Sequence, residues 1–442
     1  MIKNHFIDGE KKKIISILNK NFRDCYPDRY LNKYVFIKKK KINIGDTSFT
    51  PSKKKLFIIG FGKVAPFLAK GLISIIGRNK IHSGLIICPE KNLNLKLKKI
   101  KILKSSHPLP DINTFYATSK LLEFISNIPK DGKIICLVSG GGSASLCKPL
   151  KGIHINDYLK LTKNLILSEI PIYDINAIRG YFSGVKNGKL ANLLYPRMIY
   201  NLIVSDDPKN IISSIGSGAT VYSKNKYGKV LELLKKKKIK ILIPKKLLPI
   251  KNYYSSNNFL KKKNTFNKIV FNNYEFLKQL KQNALINNIE KIKIFPKVIE
   301  GNTNLAKSKI IKFIQKNKIN NRGILLLFGI ETFVDVKDTK NSYGGRLQHL
   351  SLVLIKDLNK LLTNFLFFSV ATDGNDYIKK ISGVIYNDKD CEKFLKKENI
   401  TYLNDCIKKY NSYSFFKYFN CILRLKKPTQ NNVMDVIGVL IK

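Results

Sequence analysis

Leu56-Phe57-Ile58-Ile59-Gly60-Phe61-Gly62-Lys63-Val64-Ala65 is the stretch that decides the fold. A short apolar run, LFIIG (56–60), stops at glycine, and VAPFLAKGLISIIG (64–77) continues with helical spacing of its apolar residues. Buried strand, tight turn and helix in that order open an α/β unit. Working outward, GLIIC (84–88) and KIKIL (99–103) read as further strands, and INTFYATSKLLEFI (112–125) reads as a helix. KIICLVS (133–139) is a strand that stops at three glycines, IHINDYLKLTKNLILS (153–168) a helix, and MIYNLIVS (198–205) another strand. Residues 224–265 break the rhythm with KKKKIKILIPKK and form a Lys-rich connector. A second series follows, with strands at 267–271, 291–295, 323–328 and 365–371 and helices at 273–286, 303–317 and 348–362. The expectation is an α/β protein of two parallel-sheet, three-layer (Rossmann-like) domains with an interdomain cleft. The expected boundaries are an N-terminal helical, basic segment at 1–55, a first domain at 56–265 and a second at 266–442.

The length of 442 residues fits two or three domains, and 44% hydrophobic residues suffice for globular cores. No run of 18 apolar residues exists, and MIKNHFIDGEKKKIISILNK reads as an amphipathic helix rather than a signal peptide. A cytoplasmic location is expected. The net charge of +51 suggests a polyanion partner at first sight. Only eight of the 81 basic residues are arginine, however, and Ile and Asn are abundant too, as AT-rich codons dictate. Codon drift therefore accounts for the charge, and no dedicated nucleic-acid partner is expected, since Arg is the usual reader of phosphates and bases. Seven scattered cysteines without a CxxC pair read as reduced thiols.

In parallel sheets, ligands bind beyond the carboxyl ends of the strands. Gly60, Gly62 and Ala65 fit a loose G-x-G-x-x-A dinucleotide pattern, with Glu90 as candidate ribose partner. Lys63 inside that turn places an ammonium beside first-turn amides, which suits a phosphate better. Ser139-Gly140-Gly141-Gly142-Ser143 is the anion nest expected after the fourth strand, with Ser217 and Gly218 in a second Gly/Ser turn. Asp206 and Asn210 follow the strand ending at Ser205, where carboxylates beside an anion nest suit Mg²⁺ or a helix cap. Arg179, Ser183 and Lys186 lie between the nests, and Arg179 is a candidate clamp for a substrate carboxylate. His107-Pro108-Leu109-Pro110-Asp111 is a rigid turn. In the second half, Glu331 opens a loop that closes on Gly344-Gly345-Arg346 at a helix start, and Asp373 follows a strand as metal ligand, proton acceptor or Asx-turn.

Taken in order, GFGKVA, HPLPD, SGGGSAS, INAIRGYFSGVKNGKLA, SDDPKNIISSIGSGAT, GGRLQHLSL and ATDGND resemble the glycerate 2-kinase family, an N-terminal glycerate-kinase domain with a C-terminal MOFRL domain. The resemblance implies transfer of the ATP γ-phosphate to the 2-hydroxyl of D-glycerate with Mg²⁺, by a monomer or homodimer. It implies Lys63 as catalytic lysine, Arg346 as essential arginine, and Asp206 and Asp373 as acidic residues of the same site. Two departures stand out: Asn210 occupies an Asp position, and His349 replaces a Glu in the motif around Arg346. A catalytically weakened or inactive nucleotide-binding member and an NAD(P)H-dependent hydroxypyruvate reductase are the alternatives.

Overall fold

A computed structural model describes residues 2, 8–50, 55–89, 95–168, 170–221, 226–247, 264–318, 323–336, 342–427 and 429–442. The chain divides into two compact units, one of residues 27–270 and one of residues 1–26 with 271–442. Glu90 and residues 224–225 and 248–263 of the Lys-rich connector lie outside the described residues.

The 27–270 unit is built on a six-stranded sheet. From one edge its strands are Ile100–Lys104, Ser83–Cys88, Leu56–Phe61, Lys133–Val138, Met198–Val204 and Thr265–Phe271. In chain order that is 3-2-1-4-5-6, the doubly wound arrangement. The first four neighbouring pairs run parallel. Leu56–Phe61 is buried at every position, as expected of a strand covered by helices on both faces. The order reverses between Leu56–Phe61 and Lys133–Val138, so the chain leaves those two neighbours toward opposite edges. At that switch point the carboxyl ends open a crevice. Phe61, Ile134, Val138, Leu121 and Leu190 belong to the core on one face. The helix Ile112–Ser126 starts there under a capping box, Asp111 accepting from the Thr114 amide at 3.0 Å while Thr114 returns to the Asp111 backbone.

The 271–442 unit is α/β as well, but its sheet is mixed. Lys291–Ile294 and Ile299–Asn302 run parallel to Ile324–Phe333, whereas Asp435–Ile441 lies antiparallel between Ile324–Phe333 and Phe365–Ala371. Ile381–Asn387 and Ile422–Arg424 extend the sheet, again antiparallel. The all-parallel arrangement expected of this half is corrected accordingly. Helical spacers of similar length serve either direction, and apolar content does not report polarity. Phe367, Tyr386 and Phe416 stack beneath it, with centroid separations of 4.6 Å and 6.0 Å.

Two expected boundaries shift. Thr265–Phe271, read as the opening strand of the second series, is the edge strand of the first sheet. Residues 1–55 are not one segment. The helix Gly9–Asp24 packs on Asn273–Ile286, with Phe22 and Phe276 rings 5.5 Å apart and Asn283 donating to Asn21 at 3.1 Å. Residues 27–50 join the other unit through a three-stranded antiparallel sheet, Val35–Lys38, Lys41–Ile44 and Thr47–Phe49. No helix among the described residues is long and apolar enough to cross a membrane.

Candidate active site

The switch point of the first sheet carries the Gly60–Lys63 turn, the Ser139–Ser145 turn and, beside them, the Ile215–Gly218 turn. Gly62 has φ +112°, and a β-carbon there would lie 2.6 Å from Ser139 Oγ and 2.9 Å from the Gly140 carbonyl. Only glycine permits both that dihedral and that approach. The two turns are sewn together: the Lys63 amide donates to the Gly140 carbonyl at 2.9 Å, and the Val64 amide donates to Ser139 Oγ at 3.0 Å. The Lys63 side chain and the His107 ring both border Gly141, within 3.2 Å of where its β-carbon would stand. Gly142 approaches Gly216 just as closely, and Ser217 and Ser143 share a hydroxyl hydrogen bond of 2.8 Å. Among the described residues, no partner is found for the Gly140 or Gly141 amide. Two amides, two serine hydroxyls and the Lys63 side chain therefore border one turn, an arrangement suited to an anion.

Behind the nest sit three buried cations. Arg179 donates from Nη2 to the Ser143 carbonyl at 3.2 Å, and Lys186 Nζ donates to the same carbonyl and to Leu146 O at 3.0 Å. Lys189 Nζ binds the carbonyls of Gly180, Tyr181 and Ser183. Ser183 is fully buried and its hydroxyl donates to the Lys148 carbonyl at 3.1 Å. Arg179, Ser183 and Lys186, expected to touch substrate, are thus buried and engage backbone carbonyls; the first and third grip the nest from below. Burial pushes the Lys186 ammonium down to about 8 and the Lys189 ammonium down to about 7. Lys189 had no sequence signal, one lysine among so many.

Of the paired acids after Met198–Val204, Asp207 is structural: it accepts from the Lys209 amide at 2.8 Å, from Tyr173 at 3.2 Å and from Ser214. Asp206 is half-buried beside it, and Asn210 holds φ +53° with its buried Oδ1 unpartnered. No group of three or more metal-ligating side chains occurs among the described residues. A Mg²⁺ carried on substrate phosphates needs only one or two protein oxygens, and the Asp206 carboxylate with the orphaned Asn210 oxygen fits that demand.

In the other unit, Arg346 opens the helix Arg346–Leu361. Its guanidinium donates from Nη1 and Nη2 to the two Glu331 oxygens at 2.7 and 3.1 Å, and from Nε to Asp435 at 3.1 Å. Glu331 does not open a loop, because the strand continues to Phe333. Asp435, which sequence reasoning missed, sits opposite Ile330 in the antiparallel register. It begins an otherwise apolar strand, and that lone acid was the available signal. Burial would lower the Arg346 guanidinium, but Asp435 and Glu331 raise it and keep it charged. Burial also pushes the Asp435 carboxyl up, against the pull of Arg346. Asp376 caps the same helix, accepting from the Leu347 and Gln348 amides at 3.1 and 2.7 Å. Its carboxylate fills the space a Gly345 side chain would need. Asp373 forms an Asx-turn, accepting from the Asn375 amide at 3.0 Å, and lies near enough to raise Asp435. His349 is core: buried, its ring 5.0 Å from Tyr410.

The chain belongs to the family described as a domain of unknown function (DUF4147), whose model matches residues 13–250, and residues 324–435 match the MOFRL family. Several relatives are similar along almost their whole length. It is 27% identical to a glycerate 2-kinase of Picrophilus torridus, covering 99% of this chain and 98% of that one. It is 26% identical to a D-glycerate 2-kinase of Thermotoga maritima, covering 98% of each, and 25% identical to a putative hydroxypyruvate reductase of Agrobacterium vitis, covering 87% and 98%. A crystal structure of glycerate kinase from Thermotoga maritima shares the fold with a TM-score of 0.80, at 24% identity over 98% of this chain and 99% of that one.

Proposed function

We propose that the protein phosphorylates D-glycerate at its 2-hydroxyl, using ATP and releasing 2-phosphoglycerate and ADP. The observation that carries this is the meeting of three Gly/Ser turns and Lys63 at the switch point, with the Gly140 and Gly141 amides unpartnered among the described residues. Full-length likeness to glycerate 2-kinases supports it.

Phosphoryl transfer asks a protein for positioning and charge neutralisation rather than covalent chemistry. Gly60, Gly62, Gly142 and Gly218 allow the turns to close, while the Gly140 and Gly141 amides with Ser139, Ser143 and Ser217 hold phosphate oxygens. Lys63 neutralises charge developing on the transferred group, and the family resemblance makes Arg346 essential. Asp206 and Asn210 would hold Mg²⁺, which shields the phosphates. The glycerate 2-oxygen attacks the γ-phosphorus as the bond to the bridging oxygen breaks, ADP leaves with that electron pair, and a carboxylate accepts the hydroxyl proton. A coupled assay of ADP release with and without D-glycerate, with the phosphorylated carbon identified, tests this. ADP release indifferent to glycerate would refute it.

A second reading, an NAD(P)H-dependent hydroxypyruvate reductase, is favoured by the 3-2-1-4-5-6 strand order around Gly60-Phe61-Gly62. Loss of NADH absorbance with hydroxypyruvate would establish it.

A further inference from the structure

Three donors converge on the Ser143 carbonyl: Arg179 Nη2 at 3.2 Å, the Lys186 ammonium, and the Cys147 thiol at 3.4 Å. Lys186 Nζ also reaches the Leu146 carbonyl at 3.0 Å, so it closes over the carbonyl end of the short turn Gly142–Ser145. The nest lies toward the other end. There the Ser143 hydroxyl meets Ser217 Oγ at 2.8 Å, next to the Gly140 and Gly141 amides. Ser143 thus joins two layers, with its hydroxyl bordering the nest and its carbonyl anchoring two cations.

Those cations lack counter-charge. Arg179 is 4% exposed and Lys186 fully buried, and neither makes an ion pair among the described residues. Arg179 Nε is buried without a hydrogen-bond partner there. The titratable groups around Lys186 are Arg179 and Cys147, with Tyr158, whose hydroxyl donates to the Arg179 carbonyl at 3.3 Å. Lys189 lies behind them on the carbonyls of Gly180, Tyr181 and Ser183, and Lys63 borders Gly141. No carboxylate is among them. Carbonyl dipoles solvate a buried cation without cancelling its charge, and such burial is costly. A phosphate on the nest would stand about one helical turn away, roughly 5–10 Å, where charges inside a protein still attract.

We propose that the anion filling the nest is the counter-ion of Arg179 and Lys186, which are positioning residues for Ser143 and favour a phosphate-class dianion there. The proposal rests on the nest's being the phosphate site of the function above. Burial brings the Lys186 ammonium down to about 8. An anion close by opposes that shift, so filling the nest at alkaline pH draws a proton onto Lys186.

The test is calorimetric titration of the full chain with sulfate at about pH 8.5, in two buffers of different ionisation enthalpy, for the wild type and Lys186→Met. Sulfate keeps two charges throughout, so its own titration does not enter. The wild type is expected to bind sulfate and take up a fraction of a proton. Lys186→Met, which keeps a chain of similar length, is expected to lose that uptake and bind about tenfold more weakly. A lysine that merely braced the turn would change affinity without any proton uptake. The proposal is overturned if the wild type binds no sulfate, takes up no proton, or matches Lys186→Met in both respects. Should Lys186→Met fail to fold, the wild-type proton count decides. Absence of glycerate-dependent turnover would sink the kinase function alone, because sulfate reports on the nest without it.

Discussion

Gly62 and Ser139 are locked against each other at the switch point: the hydroxyl that a Gly62 side chain would strike is the one that accepts from the Val64 amide. Gly62→Ala forces a β-carbon into that hydrogen bond at φ +112°. The variant is expected to lose on the order of 3 kcal/mol of stability or more, combining left-handed strain with overpacking. Chemical denaturation measures it, and a loss below about 1 kcal/mol would mean that the two turns separate easily.

Lys63 borders the nest beside Gly141. Lys63→Ala is expected to lower kcat by roughly 10²–10³, the effect of removing one preorganised electrostatic donor. Steady-state kinetics at saturating ATP and D-glycerate checks this, and turnover close to wild type removes Lys63 from the chemistry.

Arg346→Lys tests the fork directly. An ammonium cannot span both Glu331 oxygens while reaching Asp435, so a loss of about a hundredfold in kcat/KM is expected despite conserved charge. A rate within about twofold of wild type would show that charge alone suffices there.

His349 gives a pH signature. Burial lowers its imidazole to about 4, against about 6.5 in the unfolded chain. Between those values the unfolded state binds more protons, so stability is lost as pH falls from about 6.5 toward about 4, by at most about 1.4 kcal/mol per pH unit. His349→Phe, which keeps a ring beside Tyr410, is expected to flatten that slope relative to wild type. Parallel urea-denaturation profiles from pH 4 to 7 would contradict it.

Much of the first unit was legible because buried parallel strands are written as unbroken apolar runs, and Leu56–Phe61 and Lys133–Val138 each run into a glycine turn. Three successive glycines stand out against a Lys/Ile/Asn background, so the nest was legible too. The roles of Arg179 and Lys186 were not, because a cation buried against carbonyls has the same letter as one facing a ligand. Strand direction also leaves no mark: Asp435–Ile441 is as apolar as a parallel strand would be, so its insertion beside Ile324–Phe333 went unread. Asp435 was lost with it, since its meeting with Arg346 exists only through that register.

The partnership of Gly9–Asp24 with Asn273–Ile286 bears on how the protein is made. The helix Gly9–Asp24 has its apolar face promised to a helix translated long afterward, and the residues between them build a separate unit meanwhile. Ile14, Ile15, Leu18 and Phe22, all buried in the finished molecule, must wait for that late arrival. Until residues 273–286 emerge, that stripe has no partner to cover it.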